Sequence, residues 1–97
     1  MNVYDRPAER PPEEIVELLL KQKNVRIEKI VSDGHTSDWY DQEEDEWVCL
    51  LTGEADLEYD TGVQTLHAGD CVFLPRHRRH RVARTTACVW LCVFIEE

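Results

Sequence analysis

The sequence predicts one all-β domain with a short helix near its N-terminus, and three observations support this prediction. First, 97 residues can build one modest hydrophobic core but not two. Second, from Val25 onward apolar and polar residues alternate with a period of two, which is typical of strands with one buried face. Third, turn signals such as "DTG" and "HAGD" separate roughly seven short strands, and this spacing indicates a sandwich or a small barrel.

The N-terminal part of the chain lacks this alternation. Residues 1–12 are polar and rich in proline, which predicts a flexible arm ahead of a single domain over residues 13–97. The next segment, "PPEEIVELLLKQK", has prolines at its start, acidic residues in the first turn and lysines near its end. Its apolar residues Ile15, Leu18 and Leu19 have helical spacing, so we predict a helix from Glu13 to Gln22.

Two segments on either side of a long acidic loop predict buried strands. In "VRIEKIV" the alternation directs Val25, Ile27 and Val31 toward the core. The segment "EWVCLLT" is almost continuously apolar and ends at Gly53. Both segments therefore belong to the predicted sheet structure.

The remaining strands differ in how many apolar faces they have. "EADLEYD" alternates cleanly, with Ala55, Leu57 and Tyr59 on one face. The last strand, "CVWLCVFI", is apolar on both faces, whereas a strand of a small antiparallel domain normally has one face in water. Either the N-terminal helix or a second subunit must cover the extra face, and we expect a homodimer.

Composition and charge indicate which classes of partner and which cellular location to expect. The net charge is −9, which argues against nucleic acid and anionic membranes as partners. The basic run "RHRRHRVAR" (76–84) is expected to pair with the acidic run of residues 38–46 instead.

The four cysteines lie in apolar segments without metal-site spacing and are expected to be small core residues. No secretion signal or membrane-spanning run is visible, so we expect a cytoplasmic protein.

Two sets of residues follow a regular spacing. Gly34, Tyr40, Gln42, Glu46 and Gly53 are separated by five, one, three and six residues. Further along the chain, Gly69 is followed after five residues by "PRH", then after two residues by His80 and after three more by Arg84. These spacings resemble the two motifs of the cupin superfamily, G-x5-H-x-H-x3,4-E-x6-G and G-x5-P-x-G-x2-H-x3-N. The resemblance covers roughly residues 26–94 and implies a cupin fold, an RmlC-like jelly-roll barrel, here with the short helix added.

The chain departs from the motifs at four positions. Tyr40 and Gln42 replace the two histidines of the first motif, His77 replaces a glycine of the second, and Arg84 replaces its asparagine. The combination of "WYDQ…DEW" with "P…RHRV" is similar to a subgroup of small single-domain bacterial cupins. The departures reduce the imidazoles available for a metal, so the fold is better specified than the activity.

The resemblance implies a metal ion at the mouth of the barrel, since imidazole and carboxylate suit zinc, iron, nickel or manganese. The expected ligands are His35, Gln42 or Asp41, Glu46 and His80, and the expected proton-transfer residues are Tyr40 and His80. Two alternatives stay open: Glu46 can pair with an arginine of the basic run, and His35 can be an ordinary surface residue.

Three functions are compatible with these residues. The first is a metal-dependent cupin that binds a small molecule, including enzymes of the isomerase, lyase or dioxygenase type. The second is a non-enzymatic binding module in which arginines at the mouth hold a small acid or sugar. The third is a structural dimer whose barrel is filled by side chains.

Overall fold

The computed structural model describes all 97 residues and contains eight strands in two antiparallel sheets. The five-stranded sheet has the order β1-β2-β8-β3-β6, and the three-stranded sheet has the order β5-β4-β7. The strands are β1 (Ile15–Gln22), β2 (Val25–Asp33), β3 (Asp45–Thr52), β4 (Glu54–Tyr59), β5 (Gly62–His67), β6 (Cys71–Leu74), β7 (His80–Thr85) and β8 (Ala87–Ile95). The all-β prediction is confirmed, and the structure contains no helix that is long and apolar enough to cross a membrane.

The segment predicted as a helix is strand β1, so that prediction was wrong. β1 pairs antiparallel with β2, from Ile15 opposite Val31 to Gln22 opposite Val25. The register shifts between Leu18 and Leu20, and this irregularity breaks the alternation that would have identified a strand. A single helix of about ten residues is marginal in water, and pairing with the adjacent β2 overrides the helical propensity.

The two sheets face each other across one core but do not close into a barrel. β1 and β6 are the edges of the large sheet, and β5 and β7 are the edges of the small one. Tyr40, outside the strands, forms an isolated bridge with His80 of β7. The Tyr40 amide donates to the His80 carbonyl at 2.7 Å, and the His80 amide donates back at 3.1 Å. The core residues are Val48, Leu50, Ala55, Leu57, Tyr59, Leu66, Leu74, Cys88, Trp90, Cys92 and Phe94.

The turn between β3 and β4 requires the motif glycine Gly53. Its φ is +83°, in the left-handed region that glycine adopts without strain. A Cβ at this position would collide with the carbonyl oxygen of Ala87 and with the Cβ of Cys88. Glycine at this motif position therefore allows the turn to lie close to β8.

The residues predicted to face the core are confirmed for strand β4, but the prediction was wrong for β2, where the opposite face is inside. Ala55, Leu57 and Tyr59 of β4 are buried, as predicted. In β2, Arg26 and Glu28 lie opposite the core residues Phe94 and Cys92 of β8, so the charged face of β2 is the inner one. The residues predicted to face inward, Val25, Ile27 and Val31, lie on the outer face.

The N-terminal arm covers part of the outer face of the large sheet. The ammonium group of Lys29, which is buried, donates to the carbonyl of Asp5 at 2.5 Å. The Arg10 guanidinium donates to the carbonyl of Asp33 at 2.6 Å. Residues 1–12 contain no strand but are held against β2 by these contacts. No helix covers the outer face of β8.

Three of the four cysteines are buried and Cys71 is exposed, which corrects the expectation that all four belong to the core. All four are free thiols. Cys71 lies opposite Cys49 where β6 pairs with β3 at the edge of the large sheet, so its side chain has solvent on one side.

Candidate functional site

A cavity of about 270 Å³ lies between the two sheets. Its walls come from every strand except β5, with Glu14 ahead of β1 and with Tyr40, Gln42 and Glu44 from the acidic loop. One part of the wall is apolar and continuous with the core, and the other part carries polar and charged side chains. The apolar residues include Val48, Leu57, Leu74, Val82, Trp90 and Cys92.

Glu46 is the most deeply placed carboxylate of this cavity, with only 7% of its surface exposed. Strand β3 directs it inward, and the Gln42 amide donates to its Oε1 at 3.0 Å. Burial raises the pKa of the Glu46 carboxyl, and nearby Glu28 raises it further. Gln42, Cys92 and His80 act in the opposite direction but do not cancel the effect of burial. Glu46 therefore keeps its proton to a higher pH than an exposed glutamate does.

His80 begins β7 and faces the same cavity with 4% of its surface exposed. Its Nδ1 lies 2.8 Å from the carbonyl oxygen of Arg78. Because a carbonyl only accepts, this contact places a proton on Nδ1, so Nε2 is the ring nitrogen that can accept a hydrogen bond or a proton. No hydrogen bond within the protein engages Nε2.

Tyr40 lies beside His80, with 5.5 Å between the ring centroids. Burial raises the pKa of the Tyr40 phenol, and the carboxylates of Glu14 and Glu46 raise it further. The phenol therefore stays protonated and can donate a hydrogen bond into the cavity. Both residues predicted to transfer protons thus line the cavity.

A second polar group lies on the same wall and was missed by the sequence analysis. Arg26 donates through Nη1 and Nη2 to the carboxylate of Glu44 at 2.5 and 3.1 Å, and through Nε to Glu28 at 3.0 Å. Its guanidinium also stacks on Phe94, with 4.2 Å to the ring centroid. Glu14 adds a further carboxylate. The available signal was the alternation of Arg26, Glu28 and Ile30 on one face of β2.

Two of the predicted metal ligands lie outside the cavity. His35 accepts the Asp33 amide hydrogen at Nδ1 (2.9 Å), and its Nε2 lies 3.1 Å from the Pro11 carbonyl. Both ring nitrogens are thus engaged with backbone. Asp41 is exposed and pairs with His77 at 2.7 Å. Local hydrogen bonds turn both side chains away from Glu46 and His80.

The remaining donors do not fit a complete metal centre. Nowhere in the structure do three or more His, Cys, Asp or Glu side chains cluster in a way that could hold a metal ion. Within the cavity, His80 is the one imidazole, and the amide nitrogen of Gln42 faces Glu46. Structural and catalytic transition-metal sites use at least three protein ligands.

The arginines of the basic run do not line the cavity. Arg79 pairs with Asp60 at 2.6 Å, Arg81 pairs with Glu58 at 2.5 Å, and Arg84 pairs with two carboxylates of β4. Only Arg76 and His77 form ion pairs with the acidic run, at Asp45 and Asp41. The predicted pairing with residues 38–46 is thus confirmed in part, and the arginines cannot clamp a ligand in this cavity.

Comparison with known proteins identifies the family. The sequence model of the Cupin domain family matches residues 28–94. The chain is a cupin. This cupin is 38% identical in sequence to a "putative mannose-6-phosphate isomerase" of Ralstonia eutropha JMP134, with a TM-score of 0.88 over 100% of this chain and 97% of that one.

Two more distant structures have the same fold. A cupin superfamily protein of Desulfitobacterium hafniense DCB-2 is 21% identical, with a TM-score of 0.83 over 94% of this cupin and 84% of that chain. An RmlC-like cupin of Shewanella frigidimarina NCIMB 400 is 19% identical, with a TM-score of 0.80 over 92% and 81% of the two chains. The comparison with curated proteins found no match.

Proposed function

We propose that this cupin binds one small polar molecule in the cavity between its sheets, with Glu46 and His80 as the groups that exchange protons with it. The observation that supports the proposal is the convergence of two buried ionisable side chains on one cavity. A cavity of about 270 Å³ has the volume of roughly nine water molecules, so the ligand is small. Perturbed ionisable groups in such a cavity are typical of functional sites.

The three polar side chains offer complementary proton chemistry. The Glu46 carboxyl, whose pKa is raised by burial, can donate a proton, and Nε2 of His80, the ring nitrogen without a backbone partner, can accept one. The Tyr40 phenol can donate a hydrogen bond to an oxygen of the ligand. Pairs of groups whose environments differ in this way serve reactions that move a proton, as isomerases and lyases do. The name of the related R. eutropha protein is compatible with that reaction class.

A divalent metal ion is the alternative occupant, because cupin domains commonly bind one. One observation favours it: the contact of His80 Nδ1 with a backbone carbonyl orients the ring as in many metal-binding histidines, with Nε2 free. Glu46 and His80 would then be its protein ligands, and zinc, iron, nickel or manganese would suit them. The missing third ligand makes this the second candidate.

The two candidates are separated by metal analysis and by ligand titration. We expect protein purified without a histidine tag to contain well under one equivalent of transition metal. In a screen of small polar fragments by NMR, we expect shifts at Glu46, His80 and Tyr40 that disappear in Glu46→Gln and His80→Gln. Stoichiometric metal that both variants lose would instead establish the metal centre. A screen without any shift in the cavity would contradict the proposed function.

We also propose a cytoplasmic location for this cupin. All four of its cysteines are free thiols, and cytoplasmic proteins keep their thiols reduced. Fractionation of the cells that produce it would test this.

A further inference from the structure

We infer that the cavity selects a small organic cation, such as an alkylammonium, over an anion of the same size. This inference rests on the proposed function, because it names the class of molecule that the cavity binds. It depends on the charges that line the cavity and on how they are paired.

The cavity lining carries an excess of carboxylates. Four glutamates face it, and Arg26 is its one arginine or lysine. The four are Glu14, Glu28, Glu44 and Glu46. Glu46 is the proton donor of the proposed function, but the carboxylates of Glu14, Glu28 and Glu44 still outnumber Arg26, and this surplus of negative charge favours a positively charged ligand.

Arg26 is not free to bind an anion. All three of its guanidinium nitrogens are engaged by Glu28 and Glu44, and its face lies on Phe94. Side chains of Arg26 and Glu44 are only 25% and 20% exposed, so solvent screens this pair incompletely. A phosphate or carboxylate ligand would have to displace a bidentate partner before it could use this arginine.

The negative charge of these carboxylates also acts on Cys92, a buried residue that lines the cavity. Burial raises the pKa of the Cys92 thiol, and Glu46, Glu28 and Glu14 each raise it further. A cation placed between these groups would meet charge of the opposite sign on several sides. The exposed Tyr40 ring at the cavity offers an aromatic face that also favours a cation.

A size-matched series of probes tests the inference. The chain would be titrated with n-butylamine, 1-butanol, sodium butyrate and inorganic phosphate at constant ionic strength, with NMR shifts of the cavity residues as the readout. We expect n-butylamine to bind about tenfold more tightly than 1-butanol. A hydrogen bond to a charged group is stronger than a neutral one by an energy that corresponds to about a tenfold difference in affinity. We expect butyrate and phosphate to cause no shift.

Variants make the test specific to the charges. Glu44→Gln should release Arg26, abolish the preference for n-butylamine and allow butyrate to bind. Glu58→Gln is the matched control, because Glu58 pairs with Arg81 away from the cavity and should leave the preference unchanged. Tighter binding of butyrate or phosphate by the wild-type chain would overturn the inference while leaving the proposed function intact. Absence of shifts with all four probes would contradict the proposed function itself.

A second, independent observation concerns the outer face of the large sheet. Five apolar residues form one row across all five strands, in the order of the strands: Leu20, Ile27, Val93, Trp47 and Phe73. Trp47 is 38% exposed and Phe73 is 54% exposed, and the contacts of the N-terminal arm with β2 lie further along the strand, at Lys29 and Asp33. We propose that a second copy of this chain packs against this row.

The row is suited to pairing with itself. Its centre, Val93, lies on the middle strand of the sheet, with aliphatic side chains at the β1 edge and aromatic side chains at the β6 edge. A two-fold axis that runs parallel to β8 between the Val93 residues of the two copies would place the aromatic half of each copy on the aliphatic half of the other, which is an isologous contact. Large exposed apolar patches of this kind mark interaction sites.

The size of the patch is compatible with a dimer. At about 4.8 Å between strands, the row extends roughly 19 Å, and residues above and below it, such as Leu91 and Ile95, widen the patch. The apolar face is then on the order of 500 Å² per copy, and two copies would bury about 1,000 Å², the lower bound for a specific interface.

Light scattering during size exclusion measures the particle directly. We expect a mass of twice the 11.4 kDa chain for the wild type and of one chain for Phe73→Glu. Val63→Glu is the matched control: Val63 is 58% exposed on the edge strand β5 of the other sheet, and this variant should stay dimeric. A wild-type monomer at millimolar concentration, or dissociation by Val63→Glu alone, would overturn the proposal.

Discussion

Strands β4 and β2 have similar alternating sequences, but β4 directs its apolar face toward the interior and β2 directs its charged face there. In β4 the apolar residues Ala55, Leu57 and Tyr59 are buried, and the acidic residues on the other face pair with arginines of β7. In β2 the charged residues Arg26 and Glu28 face the cavity, and the apolar Ile27 faces outward. The comparison shows that alternation identifies a strand with two distinct faces, but not which of the two is inside.

The reason for the difference is what each face meets. The inner face of β4 packs into the apolar core, where an unpaired charge would be costly, and only Leu57 of its buried residues also borders the cavity. The inner face of β2 borders a cavity, where Arg26, Glu28 and Glu44 satisfy one another. Its outer face belongs to the apolar row, where a partner would cover it.

The largest expected effect on stability comes from truncating one apolar side chain on β4 and comparing it with the same change on β2. Leu57→Ala in β4 should lower the free energy of unfolding by about 2–5 kcal/mol, because Leu57 is 2% exposed within the core. Ile27→Ala in β2 should cost less than about 1.5 kcal/mol in the monomer, because its side chain is only partly buried on the outer face. Urea denaturation measures both. Equal losses at low protein concentration would contradict the orientation assigned to β2.

A smaller effect is expected from two carboxylates with opposite responses to pH. Burial raises the pKa of Glu46, so the native state keeps a proton that the unfolded chain has released, and stability falls as the pH rises through that window. Glu46→Gln should therefore be more stable than wild type at about pH 8 and should match it below the ordinary pKa of a glutamate.

Asp56 in β4 provides the matched contrast. A hydrogen bond from Arg84, and a second one from Thr65, lower the pKa of Asp56. The stability that this carboxylate contributes is present above its ordinary pKa and is lost as the pH falls through the lowered one. Asp56→Asn should therefore be less stable than wild type at neutral pH, with no difference in strong acid. Thermal denaturation across pH measures both variants, and parallel profiles would refute the contrast.

The smallest expected effect isolates one hydrogen bond. The Gln42 amide stabilises the ionised form of Glu46, so Gln42→Ala should raise the pKa of Glu46 further. NMR titration of the Glu46 side-chain carbon measures this shift. Gln64→Ala, which removes the acceptor of the Tyr59 hydroxyl, is the control and should leave the Glu46 titration unchanged. An unchanged or lowered pKa in Gln42→Ala would show that the amide does not act on this carboxyl.

Much of the fold could be predicted because alternation and turn residues are local signals. β4 followed from its alternation and β8 from its continuous apolar run. β1 did not, since the irregularity at Leu18–Leu20 left a spacing that also fits a helix. In the site, motif spacing identified Gln42, Glu46 and His80, which line one cavity. His35 was assigned by its position beside Gly34, and hydrogen bonds to backbone atoms of residues 33 and 11 turn it elsewhere. Arg26 and Glu28 were missed because charged side chains were assumed to face solvent.

The buried ammonium of Lys29 ties the first residues of the chain to the large sheet. Its hydrogen-bond partners are main-chain carbonyls of Asn2 and Asp5, so no substitution in the arm removes them, but proteolytic loss of those residues would. The cleaved protein would carry the Lys29 ammonium without these partners, two residues along β2 from Ile27 of the apolar row. Loss of the first five residues would thus add an unpaired positive charge next to the surface on which we propose that a second copy packs.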